Sequence, residues 1–95
     1  MSEPMRKAVH VVVRGRVQGV GYRAWLADAA EARGLNGWAR NRRDGTVETV
    51  LAGPAALVDE ALAALWRGPM LARVTAVESE PADDPGHGFD VKPTV

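Results

Sequence analysis

The chain has 95 residues, enough for one domain with a modest core and too few for a second lobe. Its 12 basic and 12 acidic side chains give a formal net charge of zero, so no overall field draws it to nucleic acid or a membrane surface. The absence of cysteine excludes disulfides, thiolate metal sites and thiol nucleophiles.

The N-terminal segment and the hydropathy of the chain predict its cellular location. The start lacks the apolar segment of a signal peptide, and no stretch approaches the ~20 apolar residues needed to span a bilayer. We therefore predict a cytoplasmic protein with a single domain over residues 1–95, of which residues 1–6 form a disordered tail. The neutral surface favours a monomer.

The first half of the chain predicts three strands and one helix. Ala8 to Arg14 is rich in valine, which is typical of a buried strand, and a glycine-rich loop ends it. Alanine-rich residues from Tyr22 to Arg33 predict a helix, and Gly34 is placed to terminate it. Leu35 to Asn41 and Thr46 to Ala52 predict two strands, and the Asp-Gly pair between them predicts a hairpin turn.

The second half predicts one helix and two further strands. Pro54 opens a helical pattern that Gly68 and Pro69 stop. Ala72 to Glu80 predicts a strand, and Phe89 to Lys92 a short additional edge strand. Right-handed crossovers leave few arrangements for a β-α-β-β-α-β order, so we predict an α+β, ferredoxin-like split βαβ sandwich with both helices on one face of a four-stranded antiparallel sheet. That fold by itself names no function.

The loop between the first strand and the first helix has the composition of an anion site. It reads Gly15-Arg16-Val17-Gln18-Gly19-Val20-Gly21-Tyr22-Arg23. Its three glycines allow successive N–H groups to turn inward, and the next helix adds its positive end. Arg23 would supply a planar fork for two phosphate oxygens, and a cation in a first helical turn is disfavoured unless an anion is present. The alternative is an ordinary strand-to-helix turn, and Arg16 is the weaker candidate ligand.

Other site types fit the sequence less well. Gly19 to Ala24 matches the G-x-G-x-x-A form of a dinucleotide loop, but ~95 residues cannot hold the two-halved sheet of that site. Neither His10 nor His87 has a His or carboxylate at ligand spacing beside it, so we predict no metal site. The aromatic pattern of RNA-binding sheets is absent, which predicts core or core-edge positions for the three tryptophans, Trp25, Trp38 and Trp66.

Asn41 ends the second predicted strand, just before the hairpin. An asparagine there usually bonds to its own backbone in the turn. Its carboxamide could instead orient a water molecule, as a hydrolase without a nucleophilic side chain would need. The neighbouring Arg40, Arg42 and Arg43 form either a solvated hairpin tip or a cluster that concentrates an anionic substrate.

Two motifs together resemble the signatures of the acylphosphatase family. The first is the loop from Gly15 to Arg23, and the second reads Gly37-Trp38-Ala39-Arg40-Asn41-Arg42-Arg43-Asp44-Gly45-Thr46-Val47-Glu48. The resemblance runs from about Lys7 to Lys92. The family more usually has phenylalanine at the position of Tyr22 and valine at that of Ala39, departures that alter packing beside the loop rather than the proposed chemistry.

The resemblance implies hydrolysis of the carboxyl-phosphate bond of small acyl phosphates, without a metal or cofactor. Arg23 matches the family's phosphate-binding arginine, and Asn41 its water-positioning asparagine. Loop N–H groups and the Arg23 fork would stabilise charge on the phosphoryl oxygens, or on a bound phosphate or sulfate-like anion, while Asn41 holds a water in line. The substrate-binding residues predicted in this way are Arg16, Val17, Gln18, Gly19, Val20, Gly21 and Arg23.

Two other functions remain open at this point. A non-catalytic module of the same fold would hold a phosphoanion or another small regulatory ligand without turnover. RNA binding is a weaker third hypothesis, and the neutral net charge argues against it. A turnover assay distinguishes the enzyme from both.

Overall fold

A computed structural model describes residues 5–95 and shows two helices packed on one face of a five-stranded sheet. Residues 1–4 of the predicted tail lie outside the described residues, whereas Arg6 pairs with Pro54 and already belongs to the first strand. The elements in chain order are β1 (Arg6–Arg16), α1 (Tyr22–Ala32), β2 (Asn36–Asn41), β3 (Val47–Pro54), α2 (Ala55–Leu65), β4 (Arg73–Pro81) and β5 (Phe89–Lys92).

The strand order is β4-β1-β3-β2-β5. The first four strands pair antiparallel as predicted, which confirms the split βαβ sandwich. The short last strand requires a correction, because β5 pairs parallel with β2 and makes the sheet mixed. The reason lies in the path of the chain: β4 finishes at the same end of the sheet at which β2 begins, so β5 starts at that end and runs in the direction of β2.

The core lies between the sheet and the two helices. Alternate residues of β1 point into it, and Val11 and Val13 are fully buried. Helix α1 begins after Gly21, which has a left-handed φ of 78°, and ends before Gly34, as the sequence predicts. The remaining buried apolar side chains of the core cluster are Val9, Val17, Tyr22, Leu26, Ala30, Leu35, Ala39, Val47, Leu51, Val58, Ala61 and Leu65.

One end of the sheet collects the chain segments that the sequence singles out. At this end, which we call the loop end, β1 leads into the glycine loop and β2 into the hairpin, while β5 finishes and β4 begins. The Asp-Gly hairpin is confirmed by a 3.0 Å hydrogen bond from the Gly45 N–H to the Arg42 carbonyl. The loop end therefore brings Arg23 and Asn41 into one region of the molecule.

Candidate active site

A small cleft lies between the glycine loop, the start of α1 and the end of β2. Its volume is about 210 Å³. Of the predicted ligands, Arg16 and Val20 are not part of its lining: the Arg16 side chain is exposed, and the Val20 side chain packs against the core. The cleft is lined by Val17, Gln18, Gly19, Gly21, Tyr22, Arg23, Ala24 and Asn41, and so includes most of the site residues that the sequence predicts.

Backbone groups form one wall of the cleft. Gly19 and Gly21 have φ values of 74° and 78°, and a Cβ added at either would meet no atom within 4 Å. These glycines are therefore needed for their conformation rather than for space. Gly21 also caps α1, where neither a side-chain cap nor an acidic residue occupies the first turn. The N–H groups of that turn remain suited to an anion.

Arg23 is partly buried, and the last strand holds it in place. Its Nη1 donates a hydrogen bond of 2.8 Å to the carbonyl of Lys92 at the end of β5. That bond fixes the plane of the guanidinium group while its other nitrogens remain for an anion in the cleft. The sequence predicts Arg23 as a ligand but not its hydrogen bond to the Lys92 carbonyl. That bond depends on the parallel pairing of β5 with β2.

The carboxamide of Asn41 carries a buried, unpaired polar atom in the cleft. Its Oδ1 is buried and meets no hydrogen-bond donor from residues 5–95. An unpaired buried acceptor costs about 1–3 kcal/mol, so native proteins seldom keep one without a function. The backbone of Asn41 is held separately, because its carbonyl accepts a 3.1 Å bond from the Val95 N–H. Its side-chain oxygen is therefore not serving the usual role of bonding to the turn.

Gln18 connects the glycine loop to the hairpin that follows β2. Its Nε2 donates to the carbonyls of Arg42 and Thr46, at 2.7 and 2.8 Å. The sequence predicts Gln18 as a substrate ligand, but its amide nitrogen is used to hold the glycine loop against the hairpin. The hairpin itself is stiffened by Asp44, whose pKa is lowered by hydrogen bonds from the hydroxyl and the N–H of Thr46.

A charged network on the sheet face away from the helices was not predicted from the sequence. The carboxylate of Glu48 lies 2.6 Å from His10 Nε2 and accepts a 2.6 Å bond from Arg40 Nε. Burial would raise the pKa of Glu48, but these hydrogen bonds outweigh it and lower the pKa. This contact depends on the register of β1, β3 and β2, which the sequence alone does not predict. Within residues 5–95, no cluster of three or more His, Asp or Glu side chains could hold a metal ion.

Comparison with known proteins identifies the family to which this cleft belongs. The family model described as Acylphosphatase matches residues 9–91. The chain belongs to the acylphosphatase family. An acylphosphatase of Rhodopseudomonas palustris is 53% identical over 102 residues, and Acylphosphatase 2 of Ralstonia nicotianae is 55% identical over 97, each match covering 100% of both chains.

A solved structure agrees with these sequence matches. The structure of an acylphosphatase from Coxiella burnetii superimposes with a TM-score of 0.89 at 33% identity, covering 97% of this chain and 100% of that one. The chain is therefore an acylphosphatase-type hydrolase with the ferredoxin-like α+β fold. Among the residues that the structure describes, no helix is long and apolar enough to cross a membrane.

Proposed function

We propose that the cleft binds the phosphoryl group of a small acyl phosphate and transfers it to water through Arg23 and Asn41. The observation that carries this proposal is the buried Oδ1 of Asn41, an acceptor without a donor in the same cleft as Arg23 and the glycine-loop backbone. An acceptor in that position suits a water whose lone pair must point at phosphorus. A module that only binds an anion would have no use for an unpaired acceptor at this position.

The division of labour in the reaction follows from charge and geometry. Arg23 and the loop N–H groups stabilise negative charge on the phosphoryl oxygens, which are the atoms that carry it in the transition state. Asn41 accepts a hydrogen bond from the attacking water and holds it in line. The water oxygen bonds to phosphorus, the electron pair of the broken P–O bond stays with the carboxylate, and both water protons end on inorganic phosphate. A carboxylate leaves readily, so positioning and electrostatics suffice.

The test compares wild type with Arg23→Ala and Asn41→Ala on benzoyl phosphate. We expect Arg23→Ala to raise KM and lower kcat, because the fork contacts the phosphoryl group throughout. Asn41→Ala should lower kcat by about 100-fold or more with little change in KM, because it acts mainly on the attack. Steady-state kinetics with and without a chelator measure both.

Asn36→Ala is the matched control, since Asn36 lies at the opposite end of β2 and accepts a bond from the Gly88 N–H. Its kcat should stay within about twofold of wild type. Full turnover by both site variants would refute the assigned roles. Phosphate binding by calorimetry with no turnover in wild type would instead support the binding module.

We further propose that the protein acts as a cytoplasmic monomer. The absence of cysteine and the balanced charge support this. Sedimentation of the purified protein at micromolar concentration is the direct measurement, and a dimer mass would contradict it.

A further inference from the structure

The formal net charge of zero conceals an uneven distribution of charge along the molecule. Counted from the level at which Val12 pairs with Glu48 and Glu78, the strands and connections of the loop end carry three carboxylates within residues 5–95, namely Asp44, Glu48 and Glu78. They carry nine cationic side chains, which are Arg14, Arg16, Arg23, Arg40, Arg42, Arg43, Arg67, Arg73 and Lys92. Most other carboxylates of the described chain lie toward the opposite end of the sheet, at Glu31, Asp59, Glu60, Glu80, Asp83, Asp84 and Asp90. The loop end also exposes Trp66 by 53%, which corrects the expectation of a core or core-edge position.

Ion pairing does not remove this asymmetry. At the loop end, Glu48 pairs with Arg40 and Glu78 with Arg14. The other seven cations of that end form no ion pair within residues 5–95. At the opposite end, by contrast, two cations pair with carboxylates of α2. The molecule therefore has a positive loop end and a negative opposite end.

Two of the unpaired cations, Arg42 and Arg43, adjoin the cleft. They directly follow Asn41, which lines it, and Gln18 from the same lining donates a 2.7 Å bond to the Arg42 carbonyl. Their side chains line a common hollow with Arg40. Neither side chain belongs to the lining of the cleft itself, so their influence on an anion there is electrostatic and needs no contact.

The field of these two arginines reaches the cleft, whereas that of the acidic end is screened. The Debye length is about 8 Å at physiological ionic strength and about 30 Å at 0.01 M salt, and successive Cα atoms are about 3.8 Å apart. Arg42 and Arg43 are one and two residues from Asn41, which is within this range. The 11 residues of β1 separate the two ends of the sheet by about 30 Å, which is several Debye lengths at physiological ionic strength.

We propose that Arg42 and Arg43 draw anionic substrate into the Arg23–Asn41 cleft by their field and so raise kcat/KM without contacting the phosphoryl group. This inference rests on the proposed hydrolysis of acyl phosphates at that cleft. Clefts with charge of one sign raise the local concentration of an oppositely charged ligand by about tenfold or more. The two arginines thus act on the capture of substrate and take no part in the bond-breaking step.

The experiment measures kcat and kcat/KM for benzoyl phosphate at about 0.01 M and about 0.5 M salt, on wild type and on Arg42→Gln/Arg43→Gln. We expect the double variant to lose about tenfold in kcat/KM at low salt and less than about twofold at high salt, with kcat within about twofold of wild type at both. Glutamine removes the two charges and leaves the backbone bonds of both residues in place, namely those of the Arg42 carbonyl and the Arg43 N–H.

Two further double variants serve as controls. Arg6→Gln/Lys7→Gln makes the same change in net charge with two neighbouring cations at the opposite end of β1, and it should leave kcat/KM within about twofold of wild type at both salt concentrations. Arg42→Lys/Arg43→Lys keeps both charges but not the guanidinium fork, and it should retain at least about half of the wild-type kcat/KM at low salt.

Three results would overturn the inference. A kcat/KM in Arg42→Gln/Arg43→Gln that equals wild type at low salt would make the hairpin arginines a solvated tip, and a loss that persists at high salt would exclude their field as its cause. An equal loss in the opposite-end control would assign the effect to net charge. A loss in the lysine variant as large as in the glutamine variant would assign it to a direct guanidinium contact.

Calorimetry with inorganic phosphate on the same proteins separates this inference from the function on which it rests. Wild type that binds phosphate with the expected dependence on salt and on the two arginines, but does not hydrolyse benzoyl phosphate, overturns the proposed function and supports anion capture. Turnover with capture that is independent of salt and of the two arginines overturns this inference alone. Wild type with neither turnover nor phosphate binding overturns both.

Discussion

The single side chain of Gln18 holds the glycine loop against the hairpin that follows Asn41. Its bonds to the carbonyls of Arg42 and Thr46 attach the glycine loop to the residues on either side of the hairpin turn, and Arg42 directly follows Asn41. The proposed anion site and the proposed water site are therefore held as one unit. A displacement of about 1 Å between reacting groups can reduce a rate by about 100-fold, so this spacing matters to the reaction.

Replacing Gln18 should therefore affect turnover more than folding. We expect Gln18→Ala to lower kcat/KM for benzoyl phosphate by about tenfold, because the loop is no longer fixed relative to Asn41. Gln18→Glu should be worse and also less stable by about 1–3 kcal/mol, because its carboxylate would face two carbonyl oxygens and offer no donor. Kinetics and urea unfolding of both variants test this, and wild-type kinetics in Gln18→Ala would contradict it.

At the scale of elements, β1 delivers the glycine loop through an irregularity in the sheet. The pairing of β1 with β4 shifts register between Arg14 and Gly15. Gly15 has a φ of 123° and lies so close to β4 that a Cβ would overlap the Arg73 carbonyl oxygen. Gly15 therefore serves the path of the strand, unlike Gly19 and Gly21, whose conformation shapes the cleft.

Gly15→Ala should consequently be one of the more destabilising single changes in this chain. We expect a loss of about 3 kcal/mol or more in the free energy of unfolding, because backbone atoms of β4 must move to admit the methyl group. Gly86→Ala is the control, since Gly86 also has a positive φ, of 94°, but open space around its Cα. It should cost about 1–2 kcal/mol from backbone strain alone. Equal losses in urea unfolding would contradict the role of the close contact.

Across the whole molecule, local and long-range features differ in how well the sequence predicts them. Alternating valines, the Asp-Gly turn and the helix terminators act over a few residues, so the type and order of all seven elements were predictable, as were Arg23 and Asn41 as candidates. The direction of β5, the Lys92 carbonyl on Arg23 and the Gln18 bridge were not, because each depends on which distant segments meet. The same holds for the contact between His10 and Glu48.

The network around Glu48 predicts how the stability of the fold depends on pH. Because its pKa is lowered on folding, Glu48 stabilises the protein above about pH 4.5, and this contribution is lost as pH falls through the folded-state pKa. Glu48→Gln should cost about 1–3 kcal/mol at pH 7 and should flatten the loss of stability between about pH 5 and 3. Urea unfolding across this range measures the slope.

Glu78→Gln provides the comparison, because the ion pair of Glu78 with Arg14 is exposed. Its effect at pH 7 should be clearly smaller than that of Glu48→Gln, since water and salt screen such a pair. A wild-type slope in Glu48→Gln, or an equal effect of both variants, would exclude the Glu48 network as the source of the acid sensitivity.

The buried Oδ1 of Asn41 sets stability and activity against each other in this small domain. An apolar residue at position 41 would remove an unsatisfied acceptor and with it about 1–3 kcal/mol of unfavourable free energy, out of a total stability of about 5–15 kcal/mol. Selection for a firmer fold alone would therefore replace the asparagine. Under the proposed role of Asn41, its presence marks the position where the chain gives up stability to keep a reaction. A stabilised but inactive relative would be expected to differ there first.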